Sequence, residues 1–148
     1  MITSMMIWYG NAQTLRTDKT DEFTHDVTKV TNTYVLGSAD NVVGKLKGYI
    51  GHINDMYALY VYSTTDLGCG GARDNYMIIL FDDGTTYKLS NDIADISCSD
   101  YASSIYVFDP SMINKPITKI RVRQSRYYAD FITTDGEYTL QQLITVVK

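Results

Sequence analysis

Tyr76-Met77-Ile78-Ile79-Leu80-Phe81-Asp82-Asp83-Gly84-Thr85-Thr86-Tyr87-Lys88-Leu89 is the stretch whose reading decides the fold. Its first six residues are apolar or aromatic without a break. They predict a strand in the middle of a sheet, covered on both faces. Asp82-Asp83-Gly84 predicts a hairpin turn, because Asp-Gly accepts the positive φ values of a type I′ or G1-bulge turn. The return strand alternates Tyr87 and Leu89 with Thr86 and Lys88, so one of its faces is buried and the other wet.

Strand signals continue on both sides of this hairpin. Upstream, Met56-Tyr57-Ala58-Leu59-Tyr60-Val61-Tyr62 carries apolar or aromatic groups on both faces. Val42 to Ile53 alternates loosely, with Gly44, Gly48 and Gly51 marking bulges or close backbone approaches. Lys29 to Leu36 reads as a strand ending at Gly37-Ser38-Ala39-Asp40, and the rest of 10–41 as polar loop or arm. Downstream, 93–97 is a possible short strand and Ser104-Ile105-Tyr106-Val107-Phe108 a firmer one. Asp109-Pro110 pairs an N-cap with a proline at the first helical position, opening a short helical turn over 110–114 that Lys115-Pro116 closes. Ile117 to Arg123 alternates strictly, and Tyr127 to Thr133 is its hairpin partner. Thr139 and Gln142 have capping-box spacing. Leu140, Leu143, Ile144 and Val147 then form one helical stripe over 139–147, although Ile144-Thr145-Val146-Val147 is β-branched enough to extend as a strand.

The fold expected is therefore mainly β, an antiparallel β-sandwich or partly closed barrel of about seven to nine strands. One domain spans 1–148, with residues 1–26 as an extended N-terminal arm. At 148 residues the chain is long enough to bury a core without metal or disulfide staples. Thirteen tyrosines against four Phe and one Trp are the compositional outlier. Tyrosine suits half-exposed strand positions, and it also marks contact surfaces.

Composition and motifs narrow the function classes. A formal net charge of −4 makes generic nucleic-acid binding an unlikely role. No segment has the run of about 20 apolar residues that crosses a bilayer. The opening Met1-Ile2-Thr3-Ser4-Met5-Met6-Ile7-Trp8-Tyr9 lacks the basic start of a signal peptide. The expected location is cytoplasmic, or the virion if the chain is phage-encoded. Two histidines, His25 and His52, leave few histidine-based mechanisms, and no nucleophile elbow, zinc helix, Cys-x-x-Cys pair or P-loop occurs. Acidic residues fall in turns, without the spacing of a calcium loop. No cofactor and no metal are implied.

Two features remain as candidate ligand sites. The first is the loop 66–74, where Gly68, Cys69, Gly70 and Gly71 free backbone N–H groups to face an anion and Arg73 adds a charge. Its plainer reading is a surface loop. Strand parity brings Cys98 to the same end of the sheet, as a disulfide partner or a second thiol of Cys69, and Arg123 and Arg126 with it. A full strand at 93–97 would invert that arrangement. The second is the basic face Lys119, Arg121 and Arg123, readable as an acidic-partner site or, more plainly, as a solvated face or a charge-guarded edge.

These observations favour a non-enzymatic protein–protein interaction or assembly domain, an accessory protein of cytosolic or phage type. It would contact a protein partner or a second copy, with Met5, Met6, Ile7 and Trp8 as an apolar tip. The alternative is a protein binding a small phosphate-bearing or nucleotide-like anion through Gly68 to Arg73, Cys98, Arg123 and Arg126.

Overall fold

The computed structural model describes residues 15–65, 67, 75–90, 102–124 and 127–148. Its elements are β1 Leu15–Thr20, β2 Val27–Thr31, β3 Tyr34–Ala39, β4 Lys45–Ile53, β5 Met56–Ser63, β6 Tyr76–Phe81, β7 Thr86–Ser90, β8 Ala102–Phe108, β9 Ile117–Gln124 and β10 Tyr127–Ile132. Helical turns at Pro110–Met112 and Thr133–Asp135 and a helix α1, Leu140–Val147, complete the list. All the strand pairs are antiparallel, and the ten strands form one sheet. That is the mainly antiparallel β class read from the sequence, with more strands than expected.

The decisive hairpin forms where predicted. Gly84 takes φ +83°, and Asp83 Oδ1 accepts hydrogen bonds from the Thr85 N–H at 3.0 Å and the Thr85 hydroxyl at 2.5 Å. Lys115 Nζ lies 2.8 Å from Asp83 Oδ2. The bond to Lys115, followed by those from Thr85, holds the Asp83 carboxyl far below its ordinary value. A depressed folded-state value means the contribution is whole above the unfolded-chain pKa of about 4 and is lost as pH falls below it. Thermal melts between pH 6 and 2 are therefore expected to show a shallower acid loss for Asp83→Asn than for the native chain. Equal slopes would mean the turn carries none of the acid sensitivity.

β6 corrects one expectation. It lies inside the sheet, between β7 and β9, but only Met77, Ile79 and Phe81 enter the core. Tyr76, Ile78 and Leu80 face outward, half-exposed, because no second layer among the described residues covers them and the stems of Lys119 and Arg121 lie beside Ile78 and Leu80 instead.

β2 and β3 also differ from the single strand read over 29–36. Both pair with the same edge of β4, β2 beside Gly51–Ile53 and β3 beside Lys45–Gly48. The break falls at Asn32–Thr33, where the Thr31 hydroxyl accepts the Ile50 N–H at 3.1 Å in place of a backbone carbonyl. The kink separates the outer neighbours, β1 on β2 and β10 on β3. β3 also continues through Gly37 and Ser38, which the sequence reading took as its end. Of the stretch 1–26 read as an arm, 15–20 is the edge strand β1, and residues 1–14 lie outside the described residues.

The sheet path runs β1-β2-β4-β3-β10-β9-β6-β7, with β5 on the other side of β4 and β8 on β5. It bends until β7 approaches β8, where the Tyr87 hydroxyl accepts the Asp109 N–H at 3.3 Å, but no ladder joins them and the sheet stays open. The choice between a sandwich and a partly closed barrel thus resolves to one bent, unclosed sheet. Its concave side holds Leu46, Ile50, Leu59, Val61, Met77, Ile79, Tyr106, Ile120 and Phe131.

α1 packs into this core through Leu140, Leu143, Ile144 and Val147, the predicted stripe. Its start is the predicted capping box: Thr139 Oγ1 accepts the Gln142 N–H and Gln142 Oε1 accepts the Thr139 N–H. Its end is held from the sheet. His52 Nδ1 donates to the Val147 carbonyl at 2.6 Å while its ring stacks on Tyr57, and Lys29 Nζ donates to the Lys148 carbonyl at 3.0 Å. His52→Ala loses both the bond and the stacked ring, an expected cost of about 1–2 kcal/mol in urea denaturation. An unchanged midpoint would mean the helix end is held by its apolar stripe alone.

Candidate interaction surface

The site is built by strand alternation. Leu46, Gly48 and Ile50 of β4, Leu59, Val61 and Ser63 of β5, and Ser104, Tyr106 and Phe108 of β8 point into the core. Their neighbours point out, and the registers line them up in rows across the three strands. Lys47, Tyr62 and Ser103 form the first row, Tyr49, Tyr60 and Ile105 the second, Gly51, Ala58 and Val107 the third, and Ile53 with Met56 the last. Ile53, Met56 and Val107 are 45%, 48% and 46% exposed, so the lower rows offer contiguous apolar surface of the kind that marks contact sites.

The tyrosines above them stand upright. The Arg16 guanidinium sits 3.9 Å over the Tyr49 ring, Tyr49 stacks on Tyr60 at 4.7 Å and 21°, and Tyr60 meets Tyr62 tilted at 6.2 Å. Arg16 comes from the β1 side and Tyr60 from β5, so both faces of Tyr49 are taken. A base or sugar needs a free ring face to stack on. What Tyr49 turns outward is therefore its ring edge and hydroxyl, suited to contact with protein.

The two ends of the face differ in charge. Lys45 and Lys47 lie at the upper end, beside a groove of about 460 Å³ lined by Lys47, Tyr60, Tyr62, Thr64 and Ser103. At the lower end the β1–β2 turn places Asp21, Glu22 and Asp26, against one cation, Lys19, around a hollow of about 490 Å³ that reaches Ile53. Hydrogen bonds from the backbone of Thr24 and then Phe23 lower the Asp21 pKa and keep it charged.

A second outward face lies on β6, β9 and β10. Here the basic stripe read from the sequence is neither an edge nor free charge. β9 has a strand on each side, β10 and β6, and Ile120 and Val122 on its other face are core residues. Arg121 donates to both Asp130 oxygens at 2.6 and 2.9 Å, and Lys119 Nζ donates to Asp40 at 2.9 Å. These bonds raise the pKa of Arg121 and of Lys119. A concavity of about 220 Å³ between Ile78, Leu80, Thr86, Lys119, Arg121 and Asp130 is thus walled by paired ions.

Of the residues singled out in the sequence, Arg123 is described. It faces outward opposite Tyr76, its guanidinium 5.5 Å from that ring. Gly68, Cys69, Gly70, Gly71, Arg73, Cys98 and Arg126, with Met5, Met6, Ile7 and Trp8, lie outside the described residues, as does the possible strand 93–97. Among the described residues, Ser63 pairs with Ala102, and Tyr76 pairs with both Ser90 and Arg123.

Gly51, Ile53, Met56, Ala58 and Val107 were missed in the sequence. The signal was present in 56–62, whose two apolar faces were not matched to a second layer. Among the described residues no group of three or more His, Cys, Asp or Glu is placed to hold a metal ion. Nor is any helix among them long and apolar enough to cross a membrane. Comparison with protein-family models, curated proteins and solved structures gave no match.

Proposed function

We propose that this chain is a non-enzymatic interaction domain that works by burying the outer face of β4, β5 and β8 against protein. The observation that supports it is the half-exposed Ile53, Met56 and Val107 set directly below the Arg16–Tyr49–Tyr60–Tyr62 ladder. Apolar side chains next to ordered tyrosine and arginine make the composition of an interface centre, and rigid rings lose little entropy on contact. The shifted carboxyls on the described surface are explained by turns and ion pairs: Asp21 and Asp83 as above, and Asp109 through its hydrogen bonds from Ser111.

Site-specific photo-crosslinking in cells that make the protein tests this reading. A photoreactive residue at Val107 is expected to give a discrete conjugate, and one at the exposed Tyr128, on the outward face of β9 and β10, is not. Conjugates of equal yield at both positions, or none at Val107, would remove the support for this face.

A further inference from the structure

We propose that the occupant of this face is a second copy of the chain, packed face to face about a two-fold axis that lies in the interface and runs across the strands. The proposal rests on the reading of the face as an interaction surface and adds its partner and geometry. An axis in that direction exchanges the upper and lower ends of the face. Three properties of the rows are matched by that exchange.

Size is the first. The bulky side chains Tyr49, Tyr60 and Tyr62 occupy the upper rows, and the small residues Gly51 and Ala58 occupy the third. A Cβ built on Gly51 would meet nothing closer than Val30 Cγ2 at 3.7 Å, so a hollow lies above it. Reversed stacking lowers the rings of each copy into the hollow of the other. An axis along the strands would instead set ring row against ring row.

Charge is the second. Lys45 and Lys47 of one copy come over the Asp21, Glu22 and Asp26 turn of the other, twice in each dimer. The third is the apolar centre. Ile105, Ala58 and Val107 lie at the middle rows, where the axis passes, and contribute apolar area from both copies. From Lys47 to Ile53 the face is about 20 Å long, and three to five strands make it roughly 10–20 Å wide. That footprint, roughly 200–400 Å² on each copy, is smaller than the roughly 800 Å² per partner of a standard interface, so a weak dimer is expected, with a Kd on the order of tens to hundreds of micromolar.

Analytical ultracentrifugation from about 1 to 500 μM, a range chosen to bracket a micromolar dimer, provides the test. The native chain is expected to pass from monomer to dimer. Gly51→Leu adds bulk at a position of ordinary φ where, among the described residues, a Cβ meets only Val30 at van der Waals distance, and should leave the melting temperature in place while weakening the dimer at least about tenfold. The charge pair gives a test that misfolding cannot imitate. Lys45→Glu/Lys47→Glu makes both ends acidic and Glu22→Lys/Asp26→Lys makes both basic, so each variant alone should be monomeric while a mixture forms the heterodimer.

A native dimer unaffected by Gly51→Leu, or variants that fail to associate when mixed, would overturn the geometry. A chain that stays monomeric while its Val107 probe captures a different protein overturns self-association and leaves the interaction face standing. A monomer with no Val107 conjugate overturns both.

Discussion

Replacing Phe131 by Ala is expected to cost about 3–5 kcal/mol of stability and to loosen the sheet at one place. The ring is fully buried at the seam where β10 meets β3. On one side of that seam lie β1 to β5 and β8, and on the other β6, β7, β9 and β10. The ladder between them has two register pairs, Phe131 with Ala39 and Ile132 with Ser38, whereas β4 and β5 share eight. The Asp40 N–H to Asp130 carbonyl bond and the Lys119–Asp40 ion pair add to it from the outer side. The backbone cannot close in easily on the space left by the ring, because a Cβ at Gly37 would already touch Phe131 Cβ at 3.2 Å and the Ile132 carbonyl oxygen at 2.9 Å. Urea denaturation followed by amide exchange checks both parts: a large fall in midpoint, with β3 and β10 losing protection before β4 and β5. A cost below about 1 kcal/mol would mean the seam repacks freely.

Gly48→Ala is the second large effect. A methyl group there would run into the Tyr60 carbonyl oxygen, and it would also sit 3.1 Å from both Leu36 Cδ1 and Val61 Cγ1. The obstacle is backbone, so β4 and β5 must part and lose ladder bonds in the middle of the sheet. The expected cost is about 3 kcal/mol or more, at the upper end for a single methyl. Gly51→Ala, three residues along the same strand, meets only Val30 Cγ2 at 3.7 Å and is expected to change stability by less than about 0.5 kcal/mol. Melting both variants beside the native chain separates a steric effect from the general preference of strands for a side chain. Similar losses in the two would point to the latter.

Those two glycines illustrate how far the sequence can be read. A glycine inside a strand pattern announces either a bulge or a close approach, but which of Gly44, Gly48 and Gly51 is which depends on the neighbouring strand. Gly44 takes a φ of +147°, a Cβ on Gly48 would run into the Tyr60 carbonyl, and one on Gly51 would make only an ordinary contact with Val30. Features closed within a few residues were legible: the Asp83–Gly84 turn, the Asp109 cap, the Thr139–Gln142 capping box and the alternation of 117–123. Each is set by local hydrogen bonds or by a fixed side-chain period. β1 was not, since an edge strand exposed on much of both faces carries no alternation. The pairing of Lys119 with Asp40, 79 residues away, was equally hidden, and it changes a basic stripe into a neutralised one. The outer face of β4, β5 and β8 was hidden for a related reason. Apolar residues on both sides of a strand do not say whether the outer ones are covered, as the half-exposed Tyr76, Ile78 and Leu80 of β6 show.

The anchoring of α1 onto His52 and Lys29 also bears on how the protein is made. Residues 29 and 148 are 119 apart, and β3 waits some 90 residues for β10. While the chain emerges from the ribosome, β2 to β5 can form their ladders early, but their inner side is not fully covered until β6 to β10 and finally α1 have been synthesised. Folding dominated by such distant pairings is slow, in the range of milliseconds to seconds. Over that interval the core side chains Leu46, Ile50 and Leu59 stand open to water, which makes β4 and β5 the part of the nascent chain most exposed to aggregation.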